Sequence, residues 1–178
     1  AGIKGGTVVD LGAAELSIRQ CVSAAEKMAE NALSGYPLRD VMINVPGIHA
    51  RSHNFGVDVN LLGHEVTDND IRRALARAQD HVTGSGQEMV HAIPTGFAID
   101  NRGGIRDPRG MLGQVMSVDV HLVTGEATAL RNTAACIEAS HLDVVALCLS
   151  SYAAGLSSLV DDEMDLGCTV IDMGAGVT

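Results

Sequence analysis

Two hydrophobic rhythms alternate along the chain. Residues 7–11 are a short β-branched run bounded by glycines, which predicts a strand. Over residues 13–33 the period lengthens. Ile18, Val22, Ala25, Ala29 and Ala32 recur at three- and four-residue steps, the stripe of an amphipathic helix ended by Gly35, Tyr36 and Pro37. Residues 40–45 are mostly apolar, as expected of a strand covered on both faces.

The rhythm then changes. Residues 51–60 place Phe55, Val57 and Val59 on one face, the period of a half-buried strand. Thr67 to Asp70 resembles a capping box with Asp in its last position. The helix behind it carries Ile71, Leu75, Ala78 and Val82 on one stripe, with Arg72, Arg73 and Arg77 facing elsewhere. Residues 88–100 predict a strand bent or broken at Pro94 and Gly96. Residues 101–113 are polar and glycine-rich and predict a loop, whereas 115–123 alternate cleanly, with Met116, Val118, Val120 and Leu122 opposing Ser117, Asp119 and His121.

Helical spacing returns with Ala127, Leu130, Ala134, Ile137 and His141. An apolar strand at 144–149, a short small-residue helix at 151–159, an acidic stretch at 161–165 and a strand at 168–173 follow. The outer thirds thus read as α/β and the middle as strand, helix, strand, strand. That switch predicts an α+β domain of about residues 50–125 inserted into a larger α/β domain.

Composition narrows the function. With two Phe, two Tyr and no Trp, the core is aliphatic. A net charge of −10 opposes nucleic acid and anionic membranes as direct partners. Cys21, Cys136, Cys148 and Cys168 lie far apart with no CxxC pair, and read as reduced core residues of a cytosolic protein. No apolar run is long enough to span a bilayer. The opening Ala1-Gly, without Met, fits an internal fragment.

Candidate chemistry concentrates at the chain's end. A strand running into Gly174 and Gly176 lets backbone N–H groups approach phosphate oxygens, with Asp172 placed to orient a metal ion or water. The plainer alternative for Asp172 is an Asx turn. His49 and His53 have the spacing of a helical metal pair, but their extended surroundings set them apart. His91 and His121 sit in strand patterns as core or cross-strand residues. The Arg72, Arg73 and Arg77 cluster is either a solvated helix face or a patch for an acidic partner. In the 101–113 loop, Arg102, Arg106, Asp107 and Arg109 either form organising Arg–carboxylate pairs or decorate a turn held by Pro108 and glycines.

Several segments together resemble FtsA, the bacterial actin-like cell-division family: Gly2 to Asp10, Ile99-Asp100 with Gly104-Ile-Arg-Asp-Pro108, Gly110-Met111 and Gly113, Val120 to Gly125 with Thr128 to Asn132, and Asp172 to Thr178. The resemblance runs from end to end. It implies an α/β actin-like (ribonuclease-H-like) ATPase lobe with an inserted α+β strand-helix-strand-strand (SHS2, or 1C) subdomain. Residues 1–49 and 126–165 would be part of subdomain 1A, 50–125 subdomain 1C, and 166–178 the start of 2A. Asp172, Gly174, Ala175, Gly176 and Thr178 would be its second phosphate loop, binding ATP with Mg in the full-length protein. Ala175 stands where the family usually has Gly, and Val177 where it usually has Thr.

The family's first phosphate loop, adenosine pocket, FtsZ-binding lobe and membrane-targeting helix would lie outside this chain. Open sheet edges in 1A would leave 1C as the self-sufficient part. The implied role is a polymerising adaptor, not an enzyme beyond weak ATPase. It would tether FtsZ filaments to the cytoplasmic face of the inner membrane at the division site, associate with itself, and recruit later division proteins through 1C. A PilM-like pilus-assembly ATP-binding protein and a sugar-kinase-like phosphotransferase are the alternatives.

Overall fold

The computed structural model describes residues 1–81, 86–174 and 178. The hairpin β1 (Ile3–Lys4) and β2 (Thr7–Val8) turns through Gly5 and Gly6, both at positive φ. The predicted 7–11 strand is cut short because Asp10 serves as a helix N-cap, its Oδ1 accepting the Ala13 N–H at 3.0 Å. The helix that follows is two pieces, α1 (Leu11–Met28) and α2 (Glu30–Leu33), closed by Ser34 in the left-handed region. Of the expected stripe, Ile18, Val22 and Ala29 are half-buried and Ala25 and Ala32 exposed; Ala14 is the buried residue.

Next come β3 (Asp40–Val45), a 3-10 turn (Gly47–His49), β4 (Ala50–Asn60) and α3 (Asp68–Asp80). The strands β5 (Gln87–Ile99), β6 (Arg102–Ile105) and β7 (Val115–Glu126) follow, then α4 (Ala127–Glu138), β8 (Asp143–Leu149), α5 (Ser150–Ser158) and α6 (Asp161–Leu166). The contacts divide the chain into unit 1, residues 1–50 with 126–178, and unit 2, residues 51–125.

In unit 1, β3 and β8 pair in parallel from Asp40 opposite Asp143 to Val45 opposite Leu149, with a register shift after Val41. Ile43 and Val45 are buried, but Met42 is 71% exposed, so β3 is covered on one face and not on both as expected. In α4, Ala127, Leu130 and Cys136 face inward; His141 lies exposed beyond the helix end at φ 63. The acidic 161–165 stretch is helix α6, its Glu163 accepting the Val160 N–H. The expected strand at 168–173 is not formed among the described residues. A strand exists only where a neighbour takes its backbone groups, and this segment has no ladder partner.

Unit 2 is a four-stranded sheet in the order β4-β7-β5-β6 backed by α3. Val57, Val59, Leu61, Val66, Ile71, Ala74, Ala78, Ile99, Met116, Val118 and Val120 form its core, each buried Val, Leu or Met contributing about 1.5–3 kcal/mol. The capping box is present: the Thr67 N–H and Oγ1 both donate to Asp70 Oδ2, at 3.0 and 2.7 Å. Val82, expected on this helix, lies outside the described residues.

Two expectations are corrected here. Residues 101–113 are not all loop. Asp100 and Asn101 both take positive φ, a two-residue hairpin turn that returns the chain as β6 along β5. And β5 continues unbroken through Pro94 and Gly96. Its pairing with β6 is registered at Phe97 and Ile99, and Pro94 lies beyond the stretch that β6 covers.

Candidate functional site

Unit 1 builds a cleft at the carboxyl ends of its parallel strands, the place where α/β sheets take ligands. β8 runs directly into α5, so Ser150 and Ser151 open the helix at the strand's end. Ser150 Oγ donates to Asn44 Oδ1 at 2.7 Å and to the Val45 carbonyl at 3.0 Å, fastening the two strand ends together. Leu149, at the N-cap, offers no side-chain oxygen to the first N–H groups of α5. The wall opposite is the Gly5-Gly6 turn with Pro46 and Gly47, and Val170, Ile171, Asp172, Gly174 and Thr178 close the rim of a cavity of about 670 Å³.

Asp172 is half-buried there and also lines an adjoining hollow with Met42, Asn44 and Cys148. The structure therefore brings Asp172, Gly174 and Thr178 into one cleft; Ala175 and Gly176 lie outside the described residues. Asn44, Ser150 and the Gly5-Gly6 turn escaped the sequence reading. Their signal was positional: polar or small residues placed where apolar strands end.

Among the described residues, the lining offers hydroxyls, glycine backbone and a single carboxylate, without Lys or Arg. Any polyphosphate beside Asp172 would need a cation between the two negative groups. Among the described residues no three His, Cys, Asp or Glu side chains gather as metal ligands. His49 is turned to other work, its Nε2 2.8 Å from Thr7 Oγ1 and its Nδ1 3.6 Å from Glu126.

On unit 2 the proposed interaction residues are put to several uses. Arg73 pairs with the buried Asp70 at 3.1 Å and donates to the Asn60 carbonyl; Arg77 donates to the Asp58 carbonyl at 2.6 Å. Both are thus engaged by groups of the unit itself, and all three arginines are exposed. Arg109 bridges Asp68 at 2.6 Å and Asp107 at 2.9 Å. That pairing holds the Asp68 carboxyl below the usual range, and Asp70 is lowered by its Thr67 hydrogen bond. Pro108 beside it is fully buried, and the loop is laced to residues 61–66 through Val66 to Met111 and Gly110 to Val66. Arg–carboxylate pairs and a structural turn coexist here. Arg102 and Arg106 stand on and just after β6.

His121 makes the cross-strand bond expected of it, Nδ1 lying 2.6 Å from Asn54 Oδ1. Burial pushes the His91 pKa down and the Cys136 thiol up. Cys136 is buried, but Cys21 and Cys168 are exposed, against the reading of all four as core residues. No described helix is long and apolar enough to cross a membrane.

Fold and cleft together define a class: an α/β protein interrupted by a compact α+β unit. Residues 47–124 match the family described as the SHS2 domain inserted in FTSA. Over 99% of its length the chain is similar to proteins named Cell division protein FtsA. It is 40% identical over 177 residues to that of Rhizobium meliloti (strain 1021), 36% over 179 to that of Bacillus subtilis (strain 168), and 36% over 177 to that of Neisseria meningitidis serogroup B. The chain belongs to the FtsA family of cell-division proteins. It spans about two fifths of those relatives, covering 39, 40 and 42% of their lengths.

Proposed function

We propose that this chain is the part of a cell-division scaffold that contributes one wall of an ATP site and a docking subdomain. Residues 1–49 with 126–165 serve as part of subdomain 1A, 50–125 as subdomain 1C, and 166–178 as the start of 2A. The observation that carries this is the similarity, along 99% of the chain, to relatives named for cell division. The cleft at the ends of β3 and β8 supports it.

In a full-length protein, Asp172, Gly174, Ala175, Gly176 and Thr178 hold the phosphates of ATP and its magnesium. Asp172 reaches the metal through water, and Ser150 keeps the two strand ends at fixed spacing. Bound nucleotide supplies the charge that holds two lobes together; this chain's residues position it, and the role is scaffolding instead of turnover. Polymerisation, tethering of FtsZ filaments to the inner membrane through a helix outside this chain, and recruitment of later division proteins through unit 2 complete the proposal.

Two measurements on a full-length FtsA carrying this chain test it. Calorimetric titration with MgATP is expected to show binding that Asp172→Ala weakens about tenfold or more, as for loss of a charge-assisted contact. Co-sedimentation with FtsZ filaments is expected to carry the protein into the pellet. MgATP binding unaffected by Asp172→Ala removes the phosphate-loop assignment, and absence from the FtsZ pellet removes the tether.

A further inference from the structure

The hydrogen bonds of β4 divide its outer edge into two halves. β4 ends the four-stranded sheet, with β7 on its inner side. The Leu61 N–H donates to the Gln114 carbonyl at 2.8 Å, Ser117 Oγ donates to Asp58 at 2.6 Å, His121 meets Asn54 at 2.6 Å, and Thr124 Oγ1 donates to the Arg51 carbonyl at 3.5 Å. These partners step in opposite directions by equal amounts, as antiparallel strands do without a slip. The backbone groups of Arg51 and Leu61 therefore face β7, and those of residues 52, 54, 56, 58 and 60 face outward.

The outward carbonyls of Asp58 and Asn60 are taken by Arg77 and Arg73, one helical turn apart on α3. Ser52, Asn54 and Gly56 are exposed, and their outward backbone groups receive no hydrogen bond from another described residue. An open run of strand edge is a template for another strand, and charged side chains are the usual means of closing it. Here the closure stops halfway.

We propose that the outward edge at Ser52, Asn54 and Gly56 is a strand-addition site for a second copy of this chain, the copies pairing antiparallel about Asn54, with Arg73 and Arg77 confining the pairing to that stretch. The edge complements itself. Centred on Asn54, Ser52 of one copy meets Gly56 of the other, Arg51 meets Val57, and Asp58 meets Ala50, so no carboxylate faces a carboxylate. Charge favours this surface too. Residues 51–125 carry seven Lys and Arg against nine Asp and Glu, a net −2, whereas the rest of the chain carries five against thirteen, a net −8. Two copies thus approach through their least repulsive part. The inference deepens the self-association proposed above by giving it a surface, and it makes no use of the cleft, so nucleotide binding and edge pairing fail separately.

Sedimentation velocity of the 178-residue chain over a concentration series tests it, with thermal melts as the check on folding. Asn54→Pro removes an outward N–H without touching the β7 ladder, and is expected to weaken dimerisation about tenfold or more. Asn54→Ala loses the His121 contact but keeps the N–H, and is expected to stay within about twofold of the native chain, as for a surface change. The double change Arg73→Ala with Arg77→Ala lengthens the open edge and is expected to tighten the dimer. A fluorescent peptide of residues 50–60 is expected to bind where its scrambled version does not. Dimers indifferent to Asn54→Pro overturn the proposal, as does a chain that stays monomeric in both its native and double-arginine forms. Equal binding of the scrambled peptide overturns the second copy as occupant.

Discussion

Unit 2 leaves few large apolar side chains exposed, and unit 1 leaves many. Among the described residues, Leu62, Met111 and Leu112 are the large hydrophobics that unit 2 leaves exposed, whereas unit 1 leaves seventeen, from Ile3 to Met173. Its interior is correspondingly thin: Ala14, Ile43, Val45, Ala127, Leu130, Cys136 and Leu142. The sheets explain the difference. Four strands with a helix on one face close a core, whereas β1-β2 and β3-β8 are separate two-stranded ladders, too narrow to shield both faces. Unit 2 has the makings of a self-supporting domain; unit 1 presents surfaces of the kind that bind other protein.

The sharpest way to break that comparison is to remove the same side chain from each unit. Met116, wholly buried in β7, is expected to cost about 2–5 kcal/mol as Met116→Ala, read from urea unfolding. Met42, 71% exposed on β3, is expected to change stability by less than about 0.5 kcal/mol as Met42→Ala. Costs of equal size would mean that the core of unit 1 is as complete as that of unit 2.

A second test sharpens the picture of close packing inside unit 2. A Cβ on Gly113 would collide with Ile99 Cγ2, whereas one on Gly103 meets nothing within 4 Å. Gly113→Ala is therefore expected to destabilise by about 1–3 kcal/mol. Gly103→Ala, on the short edge strand, is expected to be neutral or slightly stabilising through the unfolded chain. Paired thermal melts of the two variants separate overpacking from backbone effects.

The contrast also governs what the sequence disclosed. Where a segment's environment is local, it was legible. The 40–45 run is β3, the Thr67–Asp70 box caps α3, and Met116, Val118, Val120 and Leu122 face inward as their alternation requires. Where it depends on a neighbour, it was not. The apolar residues at 168–173 read as a strand, yet no described strand pairs with them. β6 hides in a Gly-rich stretch because the hairpin turn, not side-chain pattern, returns it to β5. At the cleft, Asp172, Gly174 and Thr178 were singled out by their sequence pattern. Ser150 and Asn44 were not, because their nearness comes from parallel pairing across 106 residues of chain. The arginines of α3 look like a surface patch in sequence; only the strand carbonyls at 58 and 60 show two of them bound, still exposed, along the edge of β4.

A third prediction concerns pH. Asp70 is held below its ordinary 3.8, first by the Thr67 hydrogen bond and further by His64 and Arg73, against the opposing effect of burial. A lowered carboxyl stabilises the fold above its unfolded value and loses that contribution as pH falls through the folded one. Unit 2 is therefore expected to weaken on acidification below about pH 3.8, and Asp70→Asn to flatten that decline. Thr67→Ala is expected to cost about 1 kcal/mol at neutral pH through loss of the cap. Urea midpoints taken across the acid range decide both; a slope unchanged by Asp70→Asn assigns the acid sensitivity to other carboxylates.

The smallest effect is expected where the sequence looked most distinctive. Arg109 grips Asp68 and Asp107, but all three side chains are more than half exposed, so water and salt screen the attraction. The same loop is fixed independently by the buried ring of Pro108 and by backbone bonds from Val66 and Gly110. Arg109→Ala is accordingly expected to leave the thermal midpoint nearly unchanged, any loss at low salt vanishing at high salt. Pro108→Ala should lower it visibly at both. A large, salt-independent loss from Arg109→Ala would reverse that order. It would make the ion pairs, not the buried proline, what shapes this surface, and would extend unit 2's self-sufficiency from its core to its charged rim.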